Sequence, residues 1–156
     1  MVIRRHGGVL SAWRHREGIV AYAPAEGWIT RSGEGALGPP GAPHRLSELV
    51  AARRIRGLDD AIDDALKAAM GMAAGHLGAE VTLAAADCSE LLGVDFVVDG
   101  AGRPWLLEFN RKPATEAREA AEDELRRSVL RGSLICAGAR TGDNPYRPLG
   151  RWRLRP

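Results

Sequence analysis

The stretch "LLGVDFVVDGAGRPWLLEFNRKP", Leu91–Pro113, decides how the chain is read. Two apolar runs flank "GAGR", residues 100–103, a four-residue connection of the kind that closes a β-hairpin, with glycine supplying the backbone angles. A symmetric loop sets Asp99 opposite Pro104, Val97 opposite Leu106 and Asp95 opposite Glu108. Side chains alternate along a strand, so one face carries Val94, Phe96, Val98, Trp105, Leu107 and Phe109 and is expected to be core. The other carries Asp95, Val97, Asp99, Leu106, Glu108 and Asn110. Asp95 then stands roughly 5 Å from Glu108 between Cβ atoms, an arrangement of like charges that destabilises unless a cation lies between them.

Magnesium suits such a pair, because it takes hard oxygen ligands and is commonly held by one or two carboxylates together with nucleotide phosphates. Asn110 adds a neutral oxygen. From the residues alone two readings stay open: a metal-binding face, or an amphipathic hairpin whose carboxylates are simply solvated.

Upstream, Ile62, Leu66, Met70, Ala73 and Leu77 follow helical period, and Asp59 and Asp60 sit where a helix N-terminus favours negative charge, so a helix is expected over 58–77. A second is expected over 115–134: Thr115 can cap it, and Glu116, Glu119 and Glu122 precede Arg126, Arg127 and Arg131 in the order the macrodipole prefers. Leu125, Val129 and Leu130 give it a narrow apolar stripe. "VLSAWRHREGIVAYA" reads as two strands turning at Arg16-Glu17-Gly18, with Trp28–Thr30 as a further strand. Residues 33–43 are too rich in glycine and proline for a regular element. From Gly138 the chain has several prolines and no periodicity, which predicts an extended or poorly ordered basic tail over 138–156.

The whole chain, 156 residues with 45% hydrophobic and 27% charged content, suits one domain with a real core. Its net charge of +2 conceals arginine-rich ends, which favour an acidic partner. Two cysteines, Cys88 and Cys136, without CxxC spacing, and no signal peptide point to a reducing, intracellular setting. No apolar run reaches the length of a membrane span. His6, His15, His44 and His76 share no metal-ligand spacing, so a histidine zinc site is not expected.

"GVDFVVDGAGRPWLLEFNRKP" resembles the last catalytic block of the ATP-grasp ligases, and most closely the tubulin tyrosine ligase-like family: an aspartate, a hairpin, "WL(L/I)E", one residue, then asparagine and a proline turn. The interval from Asp95 to Glu108 matches the family's. The resemblance implies that Asp95, Glu108 and Asn110 bind magnesium and the ATP phosphates. "AWRHREGIVAYAP" is similar to the family's strand pair with its "(R/K)EG(L/I)" turn, and "HRLSELV" lies where the family shows "HLTN" against nucleotide. On that alignment Ser47 replaces the threonine as a hydroxyl donor, while Glu48 departs from the pattern by standing where an amide is expected.

The fold implied is α+β, a partial ATP-grasp domain of mainly antiparallel sheet flanked by helices, with residues 1–137 as the C-terminal half of the catalytic domain. The function implied is an ATP- and magnesium-dependent carboxylate–amine ligase that adds glutamate, glycine or tyrosine to tubulin or a related acidic protein. Its expected place is the cytoplasm, cytoskeleton or cilium, with no nucleic-acid or membrane partner. Two alternatives stand beside it: a catalytically inactive remnant that binds proteins through its arginines, and a ligase of another ATP-grasp family.

Overall fold

The computed structural model describes residues 1–20, 44–53, 55–80, 88–115 and 120–154. They divide into a larger unit, residues 1–16 with 57–156, and a smaller one, residues 17–56. The expected strand at Trp28–Thr30 and the loop over 33–43 lie outside the described residues.

The larger unit is built on a four-stranded antiparallel sheet. Strands β1 (Val2–His6) and β2 (Val9–His15) are joined by Gly7 and Gly8, both at positive φ. Glycine reaches these angles without strain, and two such residues form the tight turn whose twist matches that of the flanking strands. The first hairpin therefore turns at Gly7-Gly8, and the turn expected at Arg16-Glu17-Gly18 is replaced by the end of β2 at His15. Ile19 makes only an isolated bridge to Arg45, within the smaller unit. Helix α1 (Leu46–Arg53) belongs to that unit too, and α2 (Leu58–Glu80) opens the remainder of the larger one.

Strand β3 (Cys88–Leu91) lies beside β1, and after Leu92 the chain continues into the separate hairpin β4 (Gly93–Val98) and β5 (Pro104–Asn110). Helix α3 (Ala120–Cys136) follows, then β6 (Tyr146–Arg153), which pairs with β2 as the outer strand of the order β3-β1-β2-β6. Residues 146–153 of the segment expected as a loose tail are thus sheet: Tyr146 and Leu149 are buried, and Asn144 Oδ1 accepts the Tyr146 N–H at 3.0 Å where β6 begins. Proline is tolerated there because an edge strand can spare a donor.

Helices cover both sheet faces. On one, Leu10, Ala12 and Arg14 meet α2, whose Leu58, Ile62, Leu66, Met70 and Ala74 are buried at helical spacing. On the other, Val2, Trp13 and Tyr146 pack with Cys136 of α3. The stripe on α3 runs through Leu125, Gly132 and Cys136, while Leu130 is exposed. A Cβ at Gly132 would stand 2.7 Å from the Tyr146 ring, so glycine there permits the helix to approach β6.

A bulge organises β6. Ala12 pairs with Gly150 but Trp13 pairs with Pro148, which leaves Leu149 as an extra residue. One extra residue reverses the sides of everything beyond it. Arg147 is thereby placed opposite Arg14 on the α2 face, while Arg151 and Arg153 fall on the other face. Arg14 donates from Nε to Asp63 Oδ1 at 2.6 Å and from Nη2 to Asp59 Oδ1 at 2.8 Å. Arg147 Nη2 lies 3.2 Å from that same Asp59 oxygen. Its Nε is 2.9 Å from Asp63 Oδ2 without the alignment of a hydrogen bond, so that contact is Coulombic. The four side chains tie β2 and β6 to the first turns of α2.

Candidate functional site

The β4–β5 hairpin carries the residues singled out from the sequence. Asp95 is the cross-strand partner of Glu108, and Gly93 that of Asn110, so the expected carboxylate pairing is present. Beyond it the register shifts: Phe96 pairs with Leu106, Val97 with Trp105 and Val98 with Pro104, which leaves Leu107 as the bulged residue. The symmetric pairing of Asp99 with Pro104 and of Val97 with Leu106 is accordingly corrected by one residue.

The bulge changes what lies beside the carboxylates. Directly opposed residues share a face, so Trp105 and Val97 stand on the side of Asp95 and Glu108, and Leu106 turns to the opposite side with Phe96. The expected core face is corrected with it: Val94, Phe96, Val98 and Leu106 are half-buried, whereas Trp105 is 55% and Leu107 62% exposed. The carboxylates thus sit next to an exposed apolar pair, Val97 and Trp105. A count of alternation along each strand misses this, because nothing local marks Leu107 as the extra residue.

The turn holds that face in place. Asp99 Oδ2 accepts the Trp105 indole N–H at 3.0 Å, and Oδ1 accepts the N–H groups of Ala101 and Arg103 at 2.9 Å each. The Arg103 guanidinium lies over the Trp105 ring, 5.5 Å from its centroid, and its Nε donates to Asp99 Oδ2. The indole N–H first, then the backbone N–H of Arg103, hold the Asp99 carboxyl down at about 2.

At the far end, Asn110 Oδ1 accepts the Lys112 N–H at 2.8 Å, an Asx turn that fixes the amide and leaves its oxygen a second lone pair. Gly93 has the tight quarters expected opposite such a turn, since a Cβ there would meet Asn110 and Pro113 at 3.3 Å. Arg111, beside the site in sequence, donates from Nε to Glu90 Oε1 at 2.8 Å. That bond and the charge of Glu90 push its guanidinium pKa up.

Asp95 and Glu108 are both exposed, and neither has an ion-pair partner among the described residues. No group of three His, Cys, Asp or Glu side chains suited to a metal occurs among those residues either. The donor set is therefore two opposed carboxylates and an amide, which fits a hard, oxygen-seeking cation that completes its shell with water or phosphate and not a soft metal that needs nitrogen or sulfur.

Ser47 lies in the smaller unit. Its hydroxyl donates to Glu17 Oε2 at 2.6 Å and its N–H to Oε1 of the same carboxylate at 3.0 Å, while Glu48 accepts the N–H groups of His44 and Arg45. Both carboxylates satisfy the open N–H groups at the start of α1. Burial raises the Glu17 carboxyl, and the bonds from Ser47 and Gly18 with the charge of Arg45 outweigh it, leaving the group below its ordinary value. Glu48, the departure from the family pattern, has a structural task here as a helix cap.

These features define an ATP-grasp protein: antiparallel strands flanked by helices, with an aspartate and an acidic-x-asparagine ending facing each other across the last hairpin. The family whose pattern the chain matches over residues 13–137 is described as YheC/D-like ATP-grasp, and the chain belongs to that family. Over 56 residues it is 38% identical to the tubulin polyglutamylase TTLL7 of Homo sapiens and 34% identical to that of Xenopus tropicalis. Each similarity covers 36% of this chain and 6% of the relative, so the chain spans a small part of those proteins' length. No solved structure matches it. ATP and a divalent metal are the general requirements of the ATP-grasp fold. Among the described residues no helix is long and apolar enough to cross a membrane.

Proposed function

We propose that this chain supplies the metal-carboxylate half of an ATP-grasp ligase site, with Asp95, Glu108 and Asn110 as magnesium and phosphate ligands. The observation that carries the reading is the register of Asp95 against Glu108, two exposed carboxylates placed side by side with no basic partner among the described residues. Magnesium bound there would neutralise phosphate charge and hold the terminal phosphoryl group of ATP in line for transfer. The chain's own part is to fix the donors. Backbone pairing sets the two carboxylates, the Asx turn sets the amide, and the Asp99–Trp105–Arg103 lock holds the strand that bears Glu108. The reaction is ATP-dependent joining of a carboxylate to an amine, with the carboxylate activated by phosphorylation. Similarity to a tubulin polyglutamylase supports glutamate as the amine and tubulin or another acidic protein as acceptor, and hence a cytoplasmic or cytoskeletal setting. The family resemblance supports Ser47, in the smaller unit, as a nucleotide-contacting hydroxyl.

Calorimetry with magnesium and ATP tests the reading. Binding is expected to weaken about tenfold or more in Asp95→Ala and in Glu108→Gln, because each removes one of two charged ligands. Magnesium-dependent binding that both variants leave unchanged would exclude this hairpin as the metal site.

A further inference from the structure

The sheet face opposite α2 carries a second charged surface that the ligase reading does not use. Ser89, Arg4, Ser11 and Arg151 are successive cross-strand partners through β3, β1, β2 and β6, so they form one row on one face. His6, Val9 and Arg153 make the next row. No carboxylate occurs in either row, and Arg4, Arg151 and Arg153 have no ion-pair partner among the described residues. An open recess of about 320 Å³ is lined by Val9, Arg151 and Arg153. The Leu149 bulge is what aims those two arginines here, and Arg4 shares their face across Ser11, with its guanidinium close to Gly138 at the end of α3.

We propose that this face is a binding site for a compact polyphosphate group, with Arg151 and Arg153 as its principal ligands and Arg4 and Ser11 at its border. Every polar side chain named is a hydrogen-bond donor, and the guanidinium forks suit tetrahedral oxyanions, which accept from several directions at once. A carboxylate is planar and offers two oxygens, as Asp63 does to Arg14 and Arg147, so three arginines exceed what a single acidic side chain can satisfy. Three unpaired cations match the charge of a pyrophosphate at neutral pH, and an open recess of about 320 Å³ has room for a group of that size.

The test is titration of the full chain with pyrophosphate in metal-chelated buffer, which keeps the Asp95–Glu108 hairpin out of the measurement, followed by arginine Nε–H NMR and calorimetry. The expected result is a shift of the Arg151 and Arg153 resonances and binding weakened about tenfold or more in the double variant R151A/R153A. The double variant K67A/R127A removes the same charge elsewhere on the surface and is expected to bind as the parent does. Equal weakening in both variants would reduce the effect to net charge and overturn the proposal. So would tighter binding of a glutamate-rich peptide than of pyrophosphate at the same ionic strength, or no shift at Arg151 and Arg153. Because metal is absent, failure here leaves the ligase reading untouched, and failure of the magnesium experiment leaves this one untouched.

Discussion

Replacing Asp63 by alanine removes a buried acid that the buried Arg14 and the half-buried Arg147 guanidinium groups both approach. The side chains of Arg14 and Asp63 are 9% and 10% exposed, so water cannot take over the lost contact without opening the space between β2 and α2. The four side chains carry two positive and two negative charges, and removing Asp63 leaves one net positive charge at that depth. Breaking a buried pair from one side costs about 3–5 kcal/mol, which for a chain of this length corresponds to a fall in melting temperature of about 6–20 °C. Asp59 is 48% exposed, and Asp59→Ala is expected to cost far less, with water replacing its oxygen. Replacing both members of the inner pair by apolar residues, Arg14→Met with Asp63→Leu, should recover much of the loss, since neither desolvated charge remains from that pair. Urea unfolding of the single and double variants, followed by circular dichroism, measures all three. A cost under about 1 kcal/mol for Asp63→Ala, or a double variant less stable than the single one, would refute a buried, desolvated pair at this position.

Other outcomes follow from the same structure. Metal-free Asp95→Asn should melt about 1–3 °C higher than the parent by scanning calorimetry, because a directly opposed like charge is relieved, and magnesium should then raise its melting temperature less than it raises the parent's. Asp99 titrates at about 2 against an ordinary 3.8, so its grip on the turn is complete above the ordinary value and is lost as pH falls through 2; the Trp105 indole N–H resonance should follow that same low-pH transition. Gly75→Ala, with nothing near its added carbon, should stabilise by up to about 1 kcal/mol. Gly132→Ala gains the same propensity but forces Pro145 and Tyr146 aside at an opposing cost of about 1–3 kcal/mol, so thermal unfolding should rank it below Gly75→Ala and at or below the parent.

Much of the fold is local enough to read along the chain. The buried line Leu58, Ile62, Leu66 and Met70 of α2 follows from spacing alone, and the "GAGR" connection marks the hairpin that sets Asp95 against Glu108. The first hairpin is legible too, because Gly7-Gly8 between two β-forming runs is a stronger turn signal than Arg16-Glu17-Gly18. For β6 the local signals point the wrong way, because prolines and arginines describe a tail, and the strand exists only where β2 offers it a partner from His15↔Tyr146 to Val9↔Arg153.

The amino-acid sequence by itself determined the donor types at the site, the hairpin that carries them and the helix that backs the sheet, since each depends on residues near one another in the chain; the Leu107 bulge is what keeps Glu108 opposite Asp95. Tertiary structure decided the sides. A bulge is chosen by how two strands and the layer behind them pack together, and no residue announces it in isolation. Leu107 and Leu149 are two such extra residues: the first turns Trp105 toward the carboxylates, and the second sends Arg147 into the buried ion network while leaving Arg151 and Arg153 on the opposite face.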